Sequence, residues 1–105
     1  MSTRLEQLRE MLQKEPLDPF LNYAIALEYA KAGDRATGIS IIEAILQRDE
    51  DYLGAYYQLG KLYEESGQTE KAATVYTKGM EIAKKQKNSK TLGELNTALM
   101  LLDDE

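Results

Sequence analysis

The sequence predicts an all-α fold of stacked helix hairpins, about six helices in 105 residues, and three observations lead there. Stretches of the chain recur with a 34-residue offset, which is the length of one helix-turn-helix unit. Apolar residues return at helical spacing within each stretch. The two prolines, Pro16 and Pro19, fall together in one short segment, so the rest of the chain lacks the residue that most strongly breaks helices.

Setting Gly33 on Gly67 also sets Asn22 on Tyr56, Ile25 on Leu59, Ala26 on Gly60 and Tyr29 on Tyr63. Further on it pairs Gly38 with Ala72, Ile42 with Tyr76 and Leu46 with Met80. Each of the first two sets lies at i, i+3, i+4 and i+7, one stripe along a helix. The small residue in each stripe, Ala26 or Gly60, lets a neighbouring helix come close. Gly33 and Gly67 stand where the first helix of each pair must stop, in a left-handed conformation that costs glycine nothing. Asp34 and Thr69 are the expected caps of the helices that follow.

Run backwards, the offset carries Ile39, Ile42, Ile45 and Leu46 onto Leu5, Leu8, Met11 and Leu12, so the N-terminal helix is a half repeat. Thr3 and Glu6 have capping-box spacing at its start, and Pro16 follows its end. Run forwards, the offset fails, because Gly93 and Thr97 would land on the apolar stripe. A shift of 36 instead sets Leu92, Leu95 and Leu99 on Tyr56, Leu59 and Tyr63, with a loop at 87–89 before a terminal helix. The helices expected are 3–14, 19–32, 35–48, 52–66, 69–86 and 89–102. The run GISIIEAI at 38–45 is β-branched enough to read as a strand on propensity alone. Its equivalent around Tyr76 lies among good helix formers, and the repeat decides for helix.

These residues resemble the tetratricopeptide repeat, whose pattern is a large aromatic, Leu-Gly, Tyr, a small residue, an aromatic and a closing proline. Tyr56, Leu59, Gly60, Tyr63, Ala72 and Tyr76 match it. The first repeat is looser, with Asn22 at the large aromatic position, and neither repeat closes with proline, since Glu50 and Lys84 stand there. The resemblance covers nearly the whole chain as one domain: a half repeat at 1–17, repeats at 18–51 and 52–86, and a capping helix at 87–105. It implies a right-handed superhelix with a concave groove that binds peptides or protein segments. Carried onto this chain, the implied contact residues are Phe20, Tyr23, Leu27 and Lys31 in the first repeat, with Tyr57, Lys61, Glu64 and Glu65 in the second. The Lys, Asn and Arg clamp by which some members hold a chaperone's C-terminal carboxylate is not matched, because Tyr23, Leu27 and Gln58 occupy those places.

Composition narrows the function from another direction. Thirteen basic against eighteen acidic residues give a net charge of −5, which repels nucleic acid and anionic membrane surfaces. Neither cysteine nor histidine occurs, so thiolate and imidazole ligands and the commonest general base are missing. With no phosphate-binding glycine loop and no nucleophile-base pair, the chain reads as non-catalytic and without a cofactor or metal. The segment at 1–14 has no continuous apolar run of the signal-peptide kind, and a cytoplasmic setting is the expectation. Lys84, Lys85, Lys87 and Lys90 read as complements to a helix dipole and as loop decoration. The acidic clusters at 49–51 and 103–105 lack EF-hand spacing and read as solvated helix ends. The leading function is an adaptor that holds a partner peptide or protein segment. The alternative is a structural homo-oligomer, or homodimer, assembled through Leu99, Met100, Leu101 and Leu102 on the terminal helix.

Overall fold

A computed structural model describes residues 3–103. Its six helices are α1 (Arg4–Lys14), α2 (Pro19–Lys31), α3 (Arg35–Arg48), α4 (Gly54–Glu65), α5 (Thr69–Lys85) and α6 (Ser89–Asp103), and no strand occurs among the described residues. The helices group into two compact units, α1 to α3 in the chain up to Asp49 and α4 to α6 from Glu50 onward. Within the first, α1 packs on α2 and α2 on α3; within the second, α4 packs on α5 and α5 on α6. The acidic residues Asp104 and Glu105, read above as a solvated end, lie outside the described residues.

Local chemistry sets the helix ends. Thr3 caps α1 by accepting the Glu6 N–H at 3.1 Å. Asp18 caps α2 by accepting from Leu21, and Pro19 fills the first helical position, where a missing N–H costs nothing. Three turns end their helices in one way. Asp34, Gln68 and Asn88 each donate a backbone N–H to the carbonyl five residues back, on Tyr29, Tyr63 and Ala83. The preceding residues, Gly33, Gly67 and Lys87, each donate to the carbonyl three residues back. These paired bonds form the Schellman motif, which needs a left-handed residue at its corner. Gly33 supplies it at φ 97°, Gly67 at 76° and Lys87 at 58°. The turn after α5 therefore holds a lysine in a conformation that the other two turns give to glycine.

Two expectations are corrected. Thr69 is the first residue of α5 and not its cap; Gln68 holds the cap position and makes no side-chain cap hydrogen bond. Helix α4 starts at Gly54, two residues later than the spacing suggested, because Tyr52 and Leu53 accept short-range bonds from Ala55 and Tyr56 in a tight turn. The β-branched run at 38–45 is helical, within α3.

The first unit is held by a core of Leu8, Leu21, Ala24 and Ile25, against which Leu5, Leu12, Tyr29 and Ile41 pack. Burial of each such leucine or isoleucine is worth roughly 1.5–3 kcal/mol before chain entropy is charged against it. In the second unit two glycines admit bulky neighbours. A Cβ on Gly60 would lie 2.1 Å from a ring carbon of Tyr76, and one on Gly79 would lie 2.7 Å from the Cβ of Tyr56. Gly60 thus lets the fully buried Tyr76 ring lie flush against the α4 backbone.

A candidate binding groove between α4 and α6

The second unit carries an open groove of about 480 Å³. Its α4 wall is made by Tyr57 and Lys61, one helical turn apart. Its α6 wall is made by Lys90, Gly93, Glu94 and Thr97, with Ala98 and Leu101 toward one end. No atom lies within 4 Å of where a Gly93 Cβ would stand, so the glycine leaves open space beside Tyr57.

The α4 wall is braced from behind. The Lys61 ammonium stands 5.8 Å from the Tyr57 ring centroid and 3.9 Å from a Glu64 carboxylate oxygen. The same Glu64 oxygen accepts a short hydrogen bond from the Tyr76 hydroxyl. Burial, and next the hydrogen bond to Glu64, push the Tyr76 phenol well above its usual pKa, so it remains a donor at any ordinary pH. The Tyr57 and Tyr76 rings are tilted by 40° with centroids 6.3 Å apart. Tyr57 therefore stands between a buried aromatic and a cation, both close enough to favour this orientation of its ring.

Of the residues singled out from sequence, the structure brings Tyr57, Lys61 and Leu101 to this groove. Glu64 is committed to Tyr76 and Lys61, and Glu65 is exposed at the end of α4. Phe20, Tyr23, Leu27 and Lys31 lie on α2 in the other unit, with Phe20 62% exposed, Tyr23 and Leu27 half-buried and Lys31 exposed. The terminal leucines do not form one exposed patch. Leu102 is buried and Leu99 half-buried, which leaves Met100 and Leu101 outward at 58% and 59% exposure. Asn22, set in the apolar stripe by the repeat, donates its side-chain amide to the carbonyls of Pro16 and Asp18 and fastens the α1–α2 turn. Sequence reasoning left Lys90, Gly93, Glu94, Thr97 and Ala98 out of the site; of these, Gly93 and Thr97 were obtainable from the 36-residue shift, which sets them on Tyr57 and Lys61.

The acidic segment before α4 is occupied within its own unit. Glu50 pairs with Lys78 at 3.7 Å and Asp51 with Lys85 at 3.4 Å, while the Tyr56 hydroxyl and the Gln86 amide donate to the backbone carbonyls of Glu50 and Asp51. Such exposed pairs add little stability singly, but four contacts on two residues fix the entry to α4.

The geometry defines an all-helical repeat of helix-turn-helix units, with a groove walled by α4 and α6. Residues 29–94 match the tetratricopeptide repeat family model, and the chain belongs to that family. A tetratricopeptide repeat domain protein from Salinibacter ruber is 37% identical; its crystal structure gives a TM-score of 0.78, with 83% of this chain and 97% of that one covered. Its solution structure gives 0.80, with 83% and 88% covered. A Bordetella parapertussis protein of 23% identity shares the fold, at a TM-score of 0.87 over 99% of this chain and 90% of that one. No curated protein matches the sequence. Tetratricopeptide repeats generally mediate protein–protein interaction and are typically non-catalytic scaffolds. No helix among the described residues is long and apolar enough to cross a membrane.

Proposed function

We propose that the chain is a non-catalytic adaptor that binds an extended segment of a partner protein in the α4–α6 groove. The observation that carries this reading is Tyr57, held between Lys61 and the buried Tyr76 ring and facing the space left by Gly93. A rigid aromatic with a polar tip loses little entropy on binding and is a frequent interface anchor. Lys61, Lys90, Glu94 and Thr97 offer hydrogen bonds and charge along the same channel, as a segment with alternating side chains requires. Phe20, Tyr23, Leu27 and Lys31 on α2 supply a second contact set in the first unit. A cytoplasmic setting fits a chain without cysteine.

The test is affinity capture from source-cell lysate with wild type, a Tyr57→Ala/Lys61→Glu variant and a Lys84→Glu control, all verified as folded. Lys84 is exposed in the last turn of α5 and does not line the groove. A partner retained by wild type and the control but lost by the double variant supports the groove. Equal retention by all three sinks it.

A further inference from the structure

The two ends of the helix series expose complementary faces. In α4, one face meets α5: Gly60 lies under the Tyr76 ring, Glu64 accepts the Tyr76 hydroxyl, and Tyr56 meets Gly79. The 36-residue shift places Leu92, Asn96 and Met100 of α6 on that same face. Here Asn96 and Met100 are exposed and Leu92 is half-buried, and no helix among the described residues covers them. In α1 the converse holds. Met11 precedes Ile45 and Gly79 at successive 34-residue steps, and both of those are buried. Met11 is 54% exposed and lines a cavity of about 850 Å³ whose floor includes Leu21. So α6 is a first helix showing the face that takes a second helix, and α1 is a second helix showing the face that takes a first.

We propose that these faces bind each other between copies of the chain, head to tail, so that α6 of one copy and α1 of the next complete one repeat hairpin. Met11 of the second copy then packs against Leu92 and Met100, in the place that Gly79 takes against Tyr56. Charge agrees with this docking. Antiparallel packing sets Glu10 and Glu15, which outnumber Lys14 at the end of α1, beside Lys87 in the turn before α6 and Lys90 in its first turn. The contact uses two different surfaces, so it propagates into a short filament or closes into a ring, and does not stop at a two-fold dimer. Lys90 also lines the groove, but the tested positions Met11 and Met100 do not, so failure of one reading is distinguishable from failure of the other.

Sedimentation velocity on the full chain from about 10 μM to about 1 mM tests it, since affinities of this order suit a small apolar contact. Wild type should exceed dimer mass as concentration rises. Met11→Glu and Met100→Glu, both at exposed positions and each with its helical spectrum and melting temperature checked, should stay monomeric, a loss of about tenfold or more in association. The decisive sample is their equimolar mixture. The Met11→Glu chain keeps its α6 face and the Met100→Glu chain keeps its α1 face, so the mixture should form one-to-one dimers that grow no further. A wild-type mass that stays monomeric throughout overturns the proposal. So does association that survives Met11→Glu and fails only with Met100→Glu, which would mean that α6 pairs with α6.

Discussion

The α2–α3 and α4–α5 hairpins follow one plan with opposite allocations of volume. Where α2 and α3 carry Ala26 and Ile42, α4 and α5 carry Gly60 and Tyr76, and all four are buried. The second hairpin shrinks the first helix to its backbone and spends the space on a ring. The exchange is not neutral in chemistry. Tyr76 brings a hydroxyl into a partly buried place, where it must find an acceptor, and Glu64 provides one while also holding Lys61. The first hairpin has no such demand, because isoleucine has no polar atom. The comparison teaches that a repeat can keep its shape while one pair swap creates a polar network, and that this network braces Tyr57 at the candidate groove.

The largest expected effect comes from breaking the Gly60–Tyr76 fit. Gly60→Ala drives a methyl into ring carbons that have no room to withdraw, and should lower unfolding free energy by about 1–3 kcal/mol in urea titration. Tyr76→Ile alone should cost a similar amount through lost volume. The double variant Gly60→Ala/Tyr76→Ile imports the pair of the first hairpin, and should be more stable than the sum of the single effects by about 1 kcal/mol or more. Additive losses would show that the two hairpins differ in backbone as well as in side chains.

Helix number, helix type and the two glycine turns were legible because they rest on local rules repeated at a fixed offset. Gly33 and Gly67 could be assigned left-handed φ from their place after each stripe alone, and they adopt 97° and 76°. Lys87 could not, since nothing about a lysine announces positive φ, and the 34-residue offset sets it on Leu53 rather than on a turn glycine. The groove was partly legible. Tyr57 and Lys61 followed from the family resemblance, whereas the commitment of Glu64 depends on Tyr76 reaching it from twelve residues away. Burial of Leu102 was missed because the apolar run at 99–102 occupies every side of a helix, so spacing cannot say which leucine faces inward.

The turns sharpen the comparison at a smaller scale. Gly67→Val should destabilise by about 2 kcal/mol, since a β-branched residue is poorly accommodated at φ 76° although the space around it is empty. Lys87→Gly should do the reverse, raising the melting temperature through a gain of about 1 kcal/mol or less, because strain relief outweighs the added freedom of the unfolded chain. If Gly67→Val melts with wild type, the Schellman corner does not constrain that turn.

The smallest difference lies in the caps. Asp34 accepts the Thr37 hydroxyl at 2.7 Å and the Thr37 N–H at 3.1 Å, whereas Gln68 caps nothing. The Thr37 side chain, and next its backbone N–H, hold the Asp34 carboxyl below its usual pKa. A carboxylate whose folded pKa is depressed contributes stability above its unfolded value of 3.8, and that contribution is lost as pH falls through the folded pKa. Asp34→Asn should therefore flatten this part of the acid limb of the stability curve and leave neutral pH little changed, because asparagine caps nearly as well. Gln68→Asp should give α5 the cap it lacks, adding roughly 0.5–1 kcal/mol at pH 7, with the gain fading below about pH 4. Thermal melts of the two variants at pH 7 and pH 3 check both. A Gln68→Asp gain of the same size at pH 3 would mean that it arose from backbone preference rather than from a charged cap, and the second hairpin would then differ from the first in turn geometry, not in capping chemistry.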